Sequence, residues 1–189
     1  MKKILYINCC VRKNSRTKIL ADRVFKRLGT CGTELKIENI GLMPLNSSAL
    51  EKRERDIAAN DLEDKCYNYA RSLASADEIL IAAPYWDLSF PASLKLFLEH
   101  CSVIGITFGY NEKGERIKLC NAERVIYVTT AGGVIGNFDL GYEYIKALFS
   151  ELYGVKESIE IKADHLDIQG EDAEKIIGEK LEEIDRMEF

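Results

Sequence analysis

Short runs of β-branched and other apolar residues alternate along this chain with longer segments whose apolar residues recur at helical spacing. The short runs are typical of strands that are buried on both faces or lie at the edge of a sheet. They predict five strands, over residues 3–8, 34–40, 78–83, 125–130 and 157–163. The longer segments predict five helices, over residues 15–28, 62–74, 91–104, 142–153 and 172–187. Few architectures accommodate so regular an alternation.

Strands that alternate with helices predict one parallel sheet, because a crossover between parallel strands needs a helix and is right-handed. We therefore expect an α/β, flavodoxin-like three-layer sandwich: a five-stranded parallel sheet of order 2-1-3-4-5 with helices on both faces. Residues 41–60 are polar and are predicted to be irregular, and residues 106–119 are predicted to form a hairpin. No repeat or linker interrupts the pattern, so residues 1–189 are predicted to form a single domain.

The charge of the chain is unevenly distributed around a net value of −5. Residues 1–50 hold ten Lys or Arg and three Asp or Glu, whereas residues 151–189 hold five and thirteen. An acidic total does not suit a general nucleic-acid-binding protein, which needs a basic surface. The basic first segment is still compatible with the binding of one small anion.

Neither the apolar content nor the cysteines indicate a secreted or membrane protein. Hydrophobic residues make up 47% of the chain, but no apolar stretch approaches the ~18 residues of a membrane span. The sequence passes from Met1 directly into a strand-like run without a signal-peptide pattern. The six cysteines are irregularly spaced and there are only two histidines, so we expect reduced thiols and no metal site. These features predict a cytoplasmic protein without a nucleic-acid or membrane partner.

Sheets of this type bind ligands beyond the carboxyl ends of their strands, beside the switch point at the first strand. The loops that follow strands one, three and four span residues 9–17, 84–91 and 130–137. The first loop leads into a helix, whose N-terminus offers unpaired N–H groups and the positive end of a dipole. Its candidate binding residues are Cys10, Ser15, Arg16 and Thr17, with further positive charge on Arg12, Lys13 and Lys18. The loop predicts a phosphate site.

The same loop also fits the Cys-x5-Arg pattern of tyrosine phosphatases, including the low-molecular-weight class. In that alternative the Cys10 thiolate attacks phosphorus and Arg16 holds the phosphoryl oxygens. Such enzymes also need a general acid, typically the Asp of an Asp-Pro pair. The three prolines of this chain follow Met43, Ala83 and Phe90, so that pair is missing.

The other two loops carry aromatic residues and glycines that suit a flat ring. The candidates in the second loop are Pro84, Tyr85, Trp86, Asp87 and Leu88. Those in the third are Thr130, Ala131, Gly132 and Gly133. Aromatic side chains can wall a heterocycle, a carboxylate can accept a ring N–H, and adjacent glycines let the backbone approach a planar ligand. Together with the phosphate donors, these loops predict a site for flavin mononucleotide (FMN).

Several segments of the chain resemble the FMN-dependent NADH-azoreductases and related NAD(P)H:quinone oxidoreductases. The matching segments are Ala82-Ala83-Pro84-Tyr85-Trp86, Leu94-Lys95-Leu96-Phe97, Gly105-Ile106-Thr107-Phe108-Gly109-Tyr110 and Thr129-Thr130-Ala131-Gly132-Gly133. Ser15-Arg16-Thr17 stands in the place of the family's hydroxyl-rich phosphate triplet. The resemblance implies FMN as cofactor, NADH or NADPH as co-substrate, and a homodimer whose interface completes the pocket.

Several positions depart from the pattern of that family, among them Cys9-Cys10, which replaces a serine pair. The usual Met-Tyr-Asn-Phe loop is here Tyr85-Trp86-Asp87-Leu88, so Asp87 replaces an asparagine. A carboxylate near the flavin is expected to disfavour the anionic reduced form and to lower the reduction potential. Ala131 stands where many members have an arginine, which removes one positive partner.

These observations predict an FMN-dependent NAD(P)H oxidoreductase. It would pass hydride from the nicotinamide through FMN to a small aromatic acceptor, namely a quinone, an azo compound or a flavin. No side chain is predicted to be a catalytic acid, and His100 and His165 are expected to be structural. The alternatives are a flavodoxin-type electron carrier, which the predicted hairpin disfavours, and a phosphatase that uses Cys10 and Arg16.

Overall fold

A five-stranded parallel sheet forms the centre of the protein, whose computed structural model describes residues 2–29 and 32–189. The strands are β1 (Ile4–Asn8), β2 (Gly32–Lys36), β3 (Glu78–Ala82), β4 (Phe108–Tyr110), β5 (Arg116–Lys118), β6 (Arg124–Thr130) and β7 (Glu157–Ala163). The sheet order is β2-β1-β3-β6-β7 and all four pairings are parallel. Counting only the strands of this sheet, the predicted order 2-1-3-4-5 is confirmed.

Helices cover both faces of the sheet. They are α1 (Arg16–Leu28), α2 (Ser47–Ala58), α3 (Asn68–Ala74), α4 (Ala92–Cys101), α5 (Leu140–Ala147, continued by a π-helical segment Leu148–Tyr153) and α6 (Ala173–Arg186). Apolar side chains of α3, α4 and α5 pack on one face, and those of α1 and α6 pack on the other. The two predicted outer layers are therefore present.

Alternation along each central strand divides the core between the two faces. In β3, Ile79 and Ile81 contact the α4 side, whereas Leu80 contacts the α1 side. All three side chains are fully buried, and burying one such side chain is worth roughly 1.5–3 kcal/mol. Because both faces of the central strands are buried, their sequences are continuous apolar runs, as the strand predictions assumed.

The prediction that residues 41–60 are irregular is wrong, because α2 occupies Ser47–Ala58. None of the residues in α2 is buried, so this helix has no apolar stripe to reveal it in the sequence. Its N-terminus is capped by Asn46, whose side chain accepts a hydrogen bond of 2.9 Å from Ala49 N. Lys52 and Asp56 form an ion pair one turn apart. Local capping and pairing therefore hold a helix that hydrophobic periodicity does not predict.

Among the other boundaries, those of two elements differ most from the predictions. The second strand covers Gly32–Lys36 and is followed by a short 3-10 segment, Ile37–Asn39, instead of running over residues 34–40. The helix predicted at residues 62–74 begins only at Asn68, after another 3-10 turn, Lys65–Tyr67. The hairpin predicted within residues 106–119 is confirmed, since β4 pairs antiparallel with β5.

None of the helices in the described residues combines the length and the apolar character that crossing a membrane requires.

Candidate functional site

A cleft of about 340 Å³ lies where the strands of the sheet end, beside the N-terminus of α1. Register brings these strand ends together, because Asn8 of β1 pairs with Ala82 of β3, and Ala82 pairs with Val128 of β6. Most of the predicted site residues line this cleft: Ser15, Arg16, Thr17, Pro84, Tyr85, Trp86, Thr130, Ala131 and Gly132. Residues from three separate loops thus form one site, as the topology predicted.

The N-terminus of α1 forms the polar end of the cleft. Ser15 is the N-cap, and its hydroxyl accepts a 3.3 Å hydrogen bond from Lys18 N. Within the described residues, the backbone N–H groups of Arg16 and Thr17 donate to no protein atom. These unpaired donors lie at the positive end of the helix dipole, so the cleft offers an anion two N–H groups and adjoining hydroxyls. We call Ser15, Arg16 and Thr17 the phosphate cradle.

Positive charge around the cradle is less concentrated than the sequence predicted. Arg12 is exposed and lines the cleft. Lys18 points elsewhere, since its ammonium pairs with Asp22 at 2.6 Å and with Glu34 at 3.8 Å. Lys13 is not part of the cleft wall either. Arg12 and Arg16 are therefore the basic side chains that face a ligand.

The loop after β3 supplies an aromatic wall. Tyr85 is held in place by a 3.1 Å bond from its N–H to Thr130 O and a 2.7 Å bond from its hydroxyl to Phe138 O. Trp86, the only tryptophan, keeps 40% of its surface exposed beside the cleft. An apolar ring that covered Trp86 would remove this surface from water, which is favourable.

Asp87 and Leu88 form a tight turn at the tip of this loop. Trp86 and Ser89 exchange two backbone hydrogen bonds of 2.9 Å across them. Both turn residues have positive φ, at 50° for Asp87 and 67° for Leu88. That is the geometry of a two-residue hairpin loop, in which Asp is tolerated and Leu is unfavourable. Neither side chain lines the cleft, so their binding roles stay predictions.

The loop after β6 presents its backbone to the cleft. The N–H of Ala131 donates a 3.0 Å hydrogen bond to Ala163 O, which connects this loop to the end of β7. Within the described residues the N–H groups of Gly132 and Gly133 donate to no protein atom. A planar ring that lies over this loop can accept hydrogen bonds from these two N–H groups at its polar edge. Gly133 is not part of the cleft wall, so its binding role stays a prediction.

Sequence reasoning missed the loop that follows β7. Leu166 and Asp167 from this loop line the cleft, together with Val11, Arg12 and Asn14 from the first loop. Nη1 of Arg16 donates to Leu166 O at 3.1 Å and to Asp167 Oδ1 at 2.8 Å. The signal was available, because β7 is parallel to β6 and its carboxyl end must lie at the same edge of the sheet.

Cys10 is not among the residues that line the cleft. Its backbone N–H donates to Asn8 Oδ1 at 2.9 Å, and its sulfur lies 3.9 Å from Ala82 O. Burial raises the pKa of the Cys10 thiol to about 11. A phosphatase nucleophile must be a thiolate near neutral pH, which requires a lowered pKa. The geometry and the pKa therefore both argue against the phosphatase alternative, and a role for Cys10 in cofactor binding stays a prediction.

The two histidines are occupied by structural partners. Nε2 of His100 lies 2.8 Å from Met43 O, and His100 does not line the cleft. Nδ1 of His165 lies 2.7 Å from Asp164 Oδ1, and neither residue of this pair lines the cleft. Both fit the structural roles that the sequence predicted for them.

Comparison with known proteins agrees with this architecture. Residues 2–187 match a family model described as a flavodoxin-like fold. An FMN-dependent NADH:quinone oxidoreductase of Clostridium perfringens is 31% identical over 191 residues, which is 96% of each chain. One of Coprothermobacter proteolyticus is 31% identical over 198 residues, which is 99% of this chain and 98% of that protein. An azoreductase from Bacillus anthracis has the same fold, with a TM-score of 0.83, 18% identity and 97% coverage of both chains. The chain therefore belongs to the flavodoxin-like family of the FMN-dependent NADH:quinone oxidoreductases.

Proposed function

We propose that this protein is an FMN-dependent NAD(P)H oxidoreductase that reduces small aromatic acceptors of the quinone or azo type. The observation that carries the proposal is a single cleft with a helix N-terminus at its polar end and an aromatic wall. FMN is a ligand with a phosphate and a flat heterocycle joined by a short chain. Its phosphate requires the helix N-terminus and its heterocycle requires the aromatic wall. The relatives' names state FMN as cofactor, NADH as reductant and a quinone as acceptor.

The cradle residues fit a phosphate group. Arg16 N–H and Thr17 N–H lack protein acceptors, and such N-terminal donors favour an anion. Thr17 is 1% exposed, and its hydroxyl lies 2.6 Å from the hydroxyl of Thr130. Ser15, Arg16 and Thr17 would therefore hold the phosphate through backbone and side-chain donors.

The aromatic wall and the glycine loop fit the flavin ring. Tyr85 and Trp86 would stack against it, and the N–H groups of Gly132 and Gly133 would donate to its polar edge. FMN, when bound, supplies the hydride chemistry that links a nicotinamide to an acceptor. The side chains here orient the ring and exclude water, and no acid or base among them is needed.

One anaerobic titration tests the proposal. Purified protein loaded with FMN should lose its yellow absorbance when NADH or NADPH is added, and a soluble quinone should restore the colour. Colour that persists with both nucleotides would instead indicate an electron carrier. A protein that takes up no FMN, yet hydrolyses an aryl phosphate in a Cys10-dependent way, would support the phosphatase.

We also propose that the protein is a homodimer. Large apolar side chains are exposed in the loops beside the cleft and at the start of α5: Trp86, Leu88, Val134, Phe138 and Leu140, each 40–63% exposed. Tyr85 connects these segments through its hydrogen bond to Phe138 O, and we infer that the side chains form one patch. A patch of this kind at the mouth of a cleft is typical of an interface.

Light scattering after size exclusion tests the dimer. The wild-type chain should elute with twice the mass of one chain, and Phe138→Asp should shift it toward the monomer. Ile19→Asp serves as the control, because Ile19 is also exposed but lies on α1 and not in these segments. A monomeric wild type, or dissociation by both variants, would contradict this interface.

We further propose a cytoplasmic location. The cysteines Cys9, Cys10, Cys66, Cys101 and Cys120 are all free thiols, which suits a reducing compartment. Cell fractionation that recovers the protein with a cytoplasmic marker would support this, and recovery with a secreted marker would contradict it.

A further inference from the structure

Asp167 places a negative charge beside the site proposed for a phosphate. Its carboxylate lines the cleft and its Oδ1 accepts a 2.8 Å hydrogen bond from Nη1 of Arg16. The side chains of Arg16 and Asp167 are 40% and 65% exposed. An ion pair this exposed adds little to folding stability, so stability alone does not explain a carboxylate at this position.

The backbone on both sides fixes where the Asp167 carboxylate lies. Asp167 N–H donates to Gly132 O at 2.8 Å, and Leu166 N–H donates to Ala131 O at 3.3 Å. A Cβ on Gly132 would come within 2.3 Å of Asp167 Oδ2, so any other residue here would require the carboxylate to move from this position. The sequence suggested that Gly132 allows close approach of a ligand, whereas the structure shows that it also accommodates Asp167.

The contacts of Arg16 use only one of its nitrogens. Both of its hydrogen bonds come from Nη1, to Leu166 O and to Asp167 Oδ1. Within the described residues, Nε and Nη2 of Arg16 donate to no protein atom. A guanidinium carries five N–H donors in a rigid plane, so anchoring at Nη1 leaves three donors in a fixed orientation.

We propose that Asp167 is a positioning residue that anchors Arg16 for binding the phosphate of the cofactor. This inference rests on the proposed function, because FMN is the ligand that carries the phosphate. A free arginine side chain loses rotamer freedom when it binds a ligand, and this loss costs binding free energy. Anchoring by Asp167 restricts the side chain beforehand and so reduces that cost. This benefit must exceed the repulsion between the carboxylate and the phosphate. If anchoring dominates, replacing Asp167 raises the Kd for FMN; if repulsion dominates, replacing it lowers that Kd.

Titration of the apoprotein with FMN and with riboflavin, followed by flavin fluorescence, tests the proposal without measuring turnover. Riboflavin has the same ring and lacks the phosphate, so it separates ring binding from phosphate binding. Asp167→Ala should raise the Kd for FMN about tenfold and leave that for riboflavin within twofold. Asp167→Asn keeps an acceptor for Arg16 without the charge, and its Kd for FMN should stay within threefold of the wild-type value.

Arg16→Ala and the double variant complete the test. Arg16→Ala should weaken FMN binding at least as much as Asp167→Ala, and adding Asp167→Ala to it should cause no further loss. Asp167 is an exposed side chain, so the variants should fold, which circular dichroism checks.

The contrary outcomes are distinct. Tighter FMN binding by Asp167→Ala would mean that the carboxylate repels the phosphate, and unchanged binding would mean that it has no net effect on the phosphate. An equal loss of FMN and riboflavin binding would mean that Asp167 only supports the loop. Each of these results overturns the inference and leaves the proposed function standing. A wild-type protein that binds neither flavin would overturn both.

Discussion

Thr17 connects the phosphate cradle to the sheet. Its hydroxyl lies 2.6 Å from that of Thr130, so the N-terminus of α1 is joined to the end of β6. At 1% exposure, the side chain is enclosed by protein next to the unpaired N–H groups. A charge introduced here would therefore act at short range and with little screening by solvent.

Thr17→Glu should raise the Kd for FMN by about 100-fold or more, because a carboxylate would oppose the phosphate within the cradle. Thr17→Gln is the matched control, since it has the same size without the charge, and its Kd should rise by less than about tenfold. Titration by flavin fluorescence measures both. Equal losses in the two variants would assign the effect to size and contradict a phosphate at this position.

Leu88 adopts a backbone conformation that its side chain disfavours. At φ 67° it lies in the left-handed region, which costs a residue with a Cβ roughly 1–2 kcal/mol. The neighbouring turn hydrogen bonds between Trp86 and Ser89 hold it there. Strain of this kind is often found in loops that contact ligands.

Comparing Leu88→Gly with Leu88→Ala isolates this strain, because both variants remove the side chain and only glycine accepts the positive φ freely. We expect the glycine variant to be more stable by about 1 kcal/mol in urea unfolding. Equal free energies of unfolding would show that the turn relaxes without cost.

At the scale of elements, the periodic spacing of apolar residues predicted most of the helices and strands but did not predict α2. The central strands and α1 are defined by side chains that face the core, such as Leu20 and Val24, and these are visible as sequence patterns. Helix α2 buries none of its residues, so its stability comes from a cap and ion pairs that resemble an ordinary polar loop in sequence. Elements without a buried face are the ones that sequence patterns miss.

The candidate site shows the same division. Residues that directly follow β1, β3 and β6 were predicted because topology places those strand ends together. Topology could also have indicated the loop after β7, but not the contact of Asp167 with Arg16, because these residues lie 151 positions apart in sequence. The tight turn at Asp87 and Leu88 was missed because Leu is not a residue that signals positive φ.

The junction of β7 and α5 carries a carboxyl group that titrates near neutral pH. Burial, together with the nearby Asp139 carboxylate, raises the pKa of Glu160 to about 7, while Lys162 acts in the opposite direction. Asp139 is the N-cap of α5, where it accepts a 3.1 Å hydrogen bond from Tyr142 N. Tyr142 of α5 and Tyr127 of β6 are further polar side chains close to this group.

Because the folded pKa of Glu160 lies above its unfolded value near 4.5, protonated Glu160 stabilises the fold at low pH. This stability is present in full below pH ~4.5 and is lost as the pH rises through about 7. Glu160→Gln removes the dependence, so its free energy of unfolding relative to wild type should rise by about 1–3 kcal/mol between pH 5 and 8.

Urea unfolding at several pH values measures this difference. Glu157→Gln is the control on the same strand, since Glu157 is exposed, and its profile shows the effect of replacing a surface carboxylate by an amide. A Glu160→Gln variant that follows the wild-type pH profile would contradict a raised pKa at this position.

At the scale of the whole molecule, the uneven charge is explained by the packing of the two ends of the chain. The basic helix α1 lies against the acidic helix α6, where Arg23 pairs with Asp185 at 2.5 Å and Arg27 donates to Met187 O at 2.6 Å. These contacts involve Arg23 and Arg27, which lie in the second half of α1. Positive charge is left at its N-terminal end, where the phosphate cradle lies.

The contacts between α1 and α6, and those between the cleft loop and the sheet, predict that the chain unfolds as one unit, as expected for a single domain. Trp86 lies in the cleft loop, and Tyr85 N–H ties that loop to Thr130 O at the end of β6. Since Trp86 is the only tryptophan, its fluorescence reports this loop, whereas far-ultraviolet circular dichroism reports the helices and sheet. In urea, at one protein concentration and without FMN, the two probes should give the same midpoint. A lower midpoint by fluorescence would mean that the cleft loops melt independently of the sheet, and the site would then be preorganised only when the cofactor is bound.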